Sequence, residues 1–319
     1  MKVATSNSSK LLRAVEVWSP TADGLQLERT SSFYAGADAF EAVSEKTKFH
    51  RGNGLPGLVW EAGIPVVFND LASTDFVRHE AAREDELSAG IGVPVFDGPD
   101  LVAVLLFLCH TSEICAAAFE SWIIEETRNE LMPGTGFYSN LDRFRRMTQY
   151  LRFPYGAGLP GDVWQTRMPR IINRLANSTD FLRASGADAE GLDFGLAVPV
   201  VRDHDEIQSV VLLLSSDRSP ISQVIQIWTP NEDRSTFELT SCVAPGAPSM
   251  AGLCHKISCE KGEGLVGTVW QNRCPRIRTG FESEPQPVAE RAIHAGLTWS
   301  AGWPIIAHGD VQAVCVFMD

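Results

Sequence analysis

Apolar and polar residues alternate in short stretches near the start of the chain and again past its middle. Residues 14–18 (AVEVW) and 224–228 (VIQIW) show a period of two, as a half-buried β-strand does. Turn-forming residues follow in Pro20-Thr-Ala-Asp-Gly24 and Pro230-Asn-Glu-Asp233, which is hairpin chemistry. Residues 25–33 then read as the returning strand. Helix-like stretches come next at 38–46 and 141–151, and a further helical segment at 75–87 and again at 180–192. Apolar strands close the pattern at 101–108, 207–214 and 311–317. The longest apolar run, residues 101–109, is about half of the ~20 residues a membrane helix needs, so it fits a buried strand. Strands at both ends with helices between them predict an α+β unit, an antiparallel sheet covered by helices.

The unit occurs three times. Trp18 and Trp60, Trp122 and Trp164, and Trp228 and Trp270 are each 42 residues apart, and successive pairs start 104 and 106 residues later. The second Trp of each pair closes a shared block: Gly52-Asn-Gly-Leu-Pro-Gly-Leu-Val-Trp60, Gly156-Ala-Gly-Leu-Pro-Gly-Asp-Val-Trp164 and Gly262-Glu-Gly-Leu-Val-Gly-Thr-Val-Trp270. Pro65, Pro169 and Pro275 stand five residues beyond it. Pro94, Pro199 and Pro304 form a later anchor, spaced by 105. Length alone gives about two domains, but a repeat this regular overrides that prior. Three domains are expected, at residues 1–112, 113–217 and 218–319. Each is long enough to form a core of its own.

Composition narrows the class of protein. Hydrophobic residues make up 44% of the 319 and charged residues 21%, the balance of a globular chain. The formal net charge of −13 repels phosphate, so neither nucleic acid nor an anionic membrane is expected as a partner. The polar start MKVATSNSSK is no signal peptide. The seven cysteines are an odd number, and no CxxC or HxxxH spacing points to a metal. Reduced thiols in the cytoplasm are expected.

The block G-x-G-L-P-G-x-V-W, the Pro five residues on, Asp70-Leu71, Phe76 and Arg78, and the late Val-Pro together resemble the GAF domain. The likeness covers nearly all of units 1 and 2. Unit 2 has Arg174-Leu175 in place of Asp-Leu and keeps Phe181 and Arg183. Unit 3 keeps the glycine block and the late Pro, but equal spacing puts Gln286 and Val288 where Phe and Arg stand in the others. The resemblance implies three tandem GAF-like α+β domains, a small-molecule-sensing or signalling role without catalysis, and association into homodimers. Sensor chains of this family carry long helices at both domain ends. Here about ten residues join one unit to the next, and no length is left for an effector, so a separate output protein is expected as partner.

A GAF ligand would sit between the sheet and the segment after the glycine block. The candidates there are Phe76, Arg78 and His79 in unit 1 and Phe181 and Arg183 in unit 2, with Trp60 and Trp164 as pocket walls. An Arg holds an acidic ligand by forked hydrogen bonds. The bland alternative is an Arg on the surface or paired with a local Asp75 or Asp180, and Trp residues of the core. The glycine block lacks the Lys and Ser/Thr of a phosphate loop. It is not expected at a strand-to-helix turn, and its glycines read as providers of turn dihedrals and close backbone approach. Unit 3 reads as diverged toward packing or partner contact.

The enzymatic alternative is a thiol reductase of the free-methionine-sulfoxide type, using Cys254 and Cys259 with His255 and Lys256 as cationic neighbours. Cys109-His110 and Cys254-His255 are misplaced for bilin attachment, and His79 and His294 do not by themselves make a haem site. The third alternative is an interaction protein whose pockets are filled by its own side chains. The ligand's and any cofactor's identity are left open by the sequence.

Overall fold

The computed structural model describes residues 11–112, 115–125, 127–202, 206–253 and 257–319. Unit 1 runs β1 (Leu12–Pro20), β2 (Gln26–Tyr34), α1 (Asp38–Ser44), β3 (Phe49–His50), α2 (Gly54–Ala62), β4 (Val66–Phe68), α3 (His79–Glu84), β5 (Ala89–Asp97) and β6 (Asp100–Cys109). Unit 2 repeats this with β7 (Ala117–Glu125), β8 (Glu130–Tyr138), α4 (Asp142–Thr148), β9 (Phe153–Pro154), α5 (Gly158–Thr166), β10 (Arg170–Asn173), α6 (Ala184–Glu190), β11 (Phe194–Arg202) and β12 (Glu206–Ser215). Unit 3 has β13 (Val224–Pro230), β14 (Phe237–Val243), β15 (Ser258–Cys259), α7 (Gly264–Asn272), β16 (Arg276–Thr279), α8 (Val288–His294), β17 (Trp299–Ala307) and β18 (Asp310–Met318). A 3-10 turn, Pro248–Met250, stands where the other units have their first helix.

Each unit forms one six-stranded antiparallel sheet with the same strand order, β3-β2-β1-β6-β5-β4 in unit 1. The first and last strands of a unit lie at its centre. Val17 pairs with Leu105 across them. The expected hairpins and closing strands are present, and the helices are shorter than the periodic pattern predicts.

The glycine block differs from its sequence reading. It follows a two-residue strand and opens a helix, so it does lie at a strand-to-helix turn. Gly52 and Gly54 hold left-handed φ angles of 78° and 61°, which glycine adopts without strain. Gly57 is helical, and a Cβ there would lie 2.1 Å from the carbonyl oxygen of His50. Pro56 falls in the first helical turn, where its missing N–H has no intrahelical partner to lose.

Alternate side chains of each sheet bury opposite faces. In unit 1, Ala14, Trp18, Val104, Leu106 and Leu108 pack beneath the helices with Phe40, Phe49 and Phe76. Val15, Val17, Leu105 and Phe107 point the other way, into a second cluster that runs through all three units. Unit 1 thus has a core of its own beneath its helices, while the outer faces of the three sheets share one core. Strands buried on both faces read as continuous apolar runs, which accounts for residues 101–109.

The shared core has a ring geometry. β5, β11 and β17 touch one another pairwise. β4 lies against β7 and β8, β10 against β14, and β16 against β1 and β2. Each unit thus gives its last-numbered sheet edge to the next unit's opening hairpin, and unit 3 returns to unit 1. This closing contact stacks Phe33 on Trp299 with ring centroids 4.9 Å apart, sets Phe107 5.1 Å from Phe317, and pairs Arg273 with Asp97. Pro94, Pro199 and Pro304 meet at the centre. Their pairing positions lie beyond the reach of the short neighbouring edge strands. A strand edge without N–H donors there cannot extend its ladder into another unit, so the three edges meet through side chains.

Candidate functional site

The space under α3 in unit 1 is organised by a charged residue in an apolar strand. Glu16 lies two positions before Trp18, on the same face of β1. It accepts a hydrogen bond from Trp18 Nε1 at 2.9 Å and another from the Tyr34 hydroxyl at 2.6 Å. Arg78, just before α3, reaches it through Nη1, 2.7 Å from Oε1 and 3.0 Å from Oε2. Both side chains are buried, at 1% and 0% exposure. The Arg78 guanidinium also donates to Ser44 and lies 4.2 Å from the Phe40 ring, with Trp18, Phe49 and Phe76 around it at 5.4–5.5 Å. Its Nε and Nη2 find no hydrogen-bond partner and lie among these rings, where the cation meets the negative ring faces.

Unit 2 repeats the arrangement. Arg183 holds Glu120 bidentately, Nη1 to Oε1 at 2.6 Å and Nη2 to Oε2 at 2.8 Å. Trp122 Nε1 donates to Glu120 at 2.9 Å, and Thr148 accepts from Arg183. Phe144 and Phe181 lie 4.5 and 5.3 Å from the guanidinium. In unit 3 both charges are gone together. Gln226 takes the place of Glu and accepts from Trp228 Nε1 at the same 2.9 Å. Val288, fully buried, stands where Arg78 and Arg183 stand. Gln286 is exposed.

A buried carboxylate is costly unless paired. Burial raises the Glu16 carboxyl, but the charge of Arg78 and the hydrogen bonds from Arg78, Tyr34 and Trp18 outweigh it and hold the group below its ordinary 4.5. The Tyr34 hydroxyl is pushed up by its own burial and by Glu16. A pair locked in this way has neither a free proton nor a free acceptor to offer a reaction.

The predicted site residues divide accordingly. Phe76 with Arg78, and Phe181 with Arg183, are brought together. Their charge partner is Glu16 or Glu120 rather than Asp75 or Asp180, and Asp180 instead bonds Arg170. His79 turns its Nδ1 toward the Phe76 carbonyl at 3.0 Å. Trp60 lies partly buried at the end of α2. Trp164 meets Tyr155 edge to face at 5.0 Å. Sequence reasoning missed Glu16 and Glu120. The available signal was a Glu two residues before the first Trp in units 1 and 2, replaced by Gln in the unit that also lacks the Arg.

Among the thiols, Cys254 lies outside the described residues, as do His255 and Lys256. Cys259 is buried. Its thiol is pushed up to about 12, first by burial and then by Glu263 and Glu284. A thiol held protonated is a poor nucleophile. Iodoacetamide at pH 8 is expected to leave Cys259 largely unmodified in the folded protein while alkylating it fully in urea, as read by peptide mass spectrometry. His110 bonds the Glu86 carbonyl, and His294 is exposed. Among the described residues no group of three His, Cys, Asp or Glu side chains could hold a metal ion, and no helix is long and apolar enough to cross a membrane.

No family model matches the chain, and no curated protein does. Several solved structures are similar to part of it. The GAF domain of A. aeolicus nlh2, in an inactive state, is 19% identical over 32% of this chain and 58% of its own, with a TM-score of 0.26. Free methionine-R-sulfoxide reductase from Neisseria meningitidis, solved with its substrate, is 15% identical over 32% and 52%, with a TM-score of 0.25. A GAF domain/HD domain protein from Geobacter sulfurreducens is 12% identical over 33% and 66%, with a TM-score of 0.28. Each likeness takes in about a third of this chain, the size of one unit, and less than two thirds of the compared chain. The chain itself has an α+β fold of three tandem units, each a six-stranded antiparallel sheet with helices.

Proposed function

We propose that the protein is a non-catalytic signalling scaffold of three GAF-like units that works through a separate partner protein. The observation that carries this reading is the filling of units 1 and 2. The space beneath the segment after the glycine block, where a ligand would sit, holds the Arg78–Glu16 and Arg183–Glu120 pairs with the aromatic rings around them. Phe76, Arg78, Phe181 and Arg183 act in this reading as closures of the unit, and His79 and Trp60 as parts of its wall. No disulfide is present among the described cysteines, which suits a reducing compartment such as the cytoplasm. The acidic balance supports a protein partner over nucleic acid.

The test is native mass spectrometry of the purified chain, followed by thermal unfolding with cyclic nucleotides, haem and aromatic metabolites. The bare chain mass and an unmoved midpoint are expected. A ligand of units 1 and 2 at 100 times its Kd would add about 2.7 kcal/mol and raise the midpoint by several degrees. A retained cyclic nucleotide or haem, or such a shift with either, overturns the filled-interior reading.

A further inference from the structure

We propose that unit 2 carries a surface site for a small zwitterion, a molecule with an ammonium head and a carboxylate, at the corner formed by Trp164, Arg167 and Glu206. The three repeats supply the argument, because the same corner is closed in unit 3 and open in unit 2.

In unit 3 the charged side chains of this corner each have a partner in the chain. The Lys261 ammonium lies over the Trp270 ring, 5.3 Å from a ring centroid. Arg273, the left-handed residue that ends α7, pairs with Asp97 of unit 1. Asp310, at the start of β18, pairs with Arg234 at 3.1 Å. Counting from the shared glycines and prolines gives the unit 2 equivalents. Tyr155 replaces Lys261, so the Trp164 face has lost its internal cation and gained an aromatic edge. Arg167 ends α5 in the same left-handed conformation. The position equivalent to Asp97 that follows in unit 3 is Ala307, which has no carboxylate to give. By strand register, Glu206 stands in the place of Asp310, since it pairs with Arg202 as Asp310 pairs with Ala307. Among the described residues neither the Arg167 nor the Glu206 side chain has a hydrogen-bond or ion-pair partner.

Trp164, Tyr155, Arg167 and Glu206 instead line one open pocket of about 230 Å³, floored by Ile124 and Ile207. That is below the usual span of drug-sized sites, about 300–1,000 Å³, and suits a smaller metabolite. The chemistry of the lining selects its charge pattern. An ammonium or quaternary ammonium in the pocket meets the Trp164 and Tyr155 rings that line it, with Glu206 as its counterion. A carboxylate beside it meets the guanidinium fork of Arg167. The site lies apart from the filled interior and does not depend on it.

Isothermal titration calorimetry with glycine betaine, L-proline and L-leucine tests this, with tetramethylammonium chloride and sodium acetate as the two halves of the ligand. At least one zwitterion is expected to bind one to one, about tenfold more tightly than either half. Arg167→Met and Trp164→Ala are each expected to weaken it at least about tenfold, with unchanged circular dichroism. Arg143→Gln, an exposed change elsewhere on unit 2, is expected to leave it unaltered. The assignment is overturned if no zwitterion saturates by about 10 mM. Binding of one half as tightly as the whole overturns it as well, as does wild-type affinity in both pocket variants. None of these results bears on the Arg–Glu interiors, which the nucleotide and haem measurements address.

Discussion

Arg78→Val is expected to destabilise the protein by about 3–5 kcal/mol, because it leaves the Glu16 carboxylate buried without its counter-charge. Adding Glu16→Gln to the same chain is expected to return most of that loss. The double variant writes the Gln226 and Val288 solution of unit 3 into unit 1, where Trp18 Nε1 keeps an oxygen acceptor. A residual cost of about 1–2 kcal/mol is expected from the lost contacts of the guanidinium with four rings. Urea unfolding of the two single variants, the double variant and the wild type measures the coupling directly. Additive losses would mean that the two side chains are not a unit. The pair also sets a pH response. The folded Glu16 carboxyl is held below 4.5, so its stabilisation is full above that value and fades as pH falls through the lower folded value. The double variant is expected to lose less stability between pH 5 and pH 3 than the wild type.

Phe107→Ala is expected to cost about 3–5 kcal/mol and to loosen the ring. Phe107 is fully buried, and it packs on Phe317 and Trp303 of unit 3. Removing it hollows the contact that returns the last unit to the first. Small-angle scattering at partly destabilising urea is expected to show an enlarged radius before tryptophan fluorescence reports unfolding of the units. Arg273→Ala at the same contact removes a pair that is about one-third exposed on each side, and is expected to cost under about 1 kcal/mol. A Phe107→Ala protein as compact and stable as the wild type would remove the ring from the account of stability.

Much of a unit was legible because its markers are large or rigid. Tryptophans 42 residues apart and prolines 105 apart count the repeats, and period-two alternation finds the first strand. The helix of the glycine block was hidden by its composition, since Gly and Pro argue against helix unless the Pro falls in the first turn. The partner of Arg78 was hidden by distance. Glu16 lies 62 positions away, and local pairing rules reach only a turn or two. The ring left one trace, the unbroken apolar runs at 101–108, 210–214 and 313–317. A run without alternation says that both faces of a strand are covered, but not by what. The open corner at Trp164 leaves no mark in any single repeat, because what sets it apart is which side chains stay unpaired in unit 2 and paired in unit 3.

The central place of each unit's final strand sets a schedule for synthesis. β18 is made after every other described strand, yet it pairs with both β13 and β17 in the middle of its sheet. Until it leaves the ribosome, unit 3 lacks its central strand and cannot cap the apolar outer faces of units 1 and 2. Long-range pairing of this kind is slow and leaves sticky surface uncovered meanwhile. Nascent chains stalled before residue 310 are therefore expected to be strong chaperone clients.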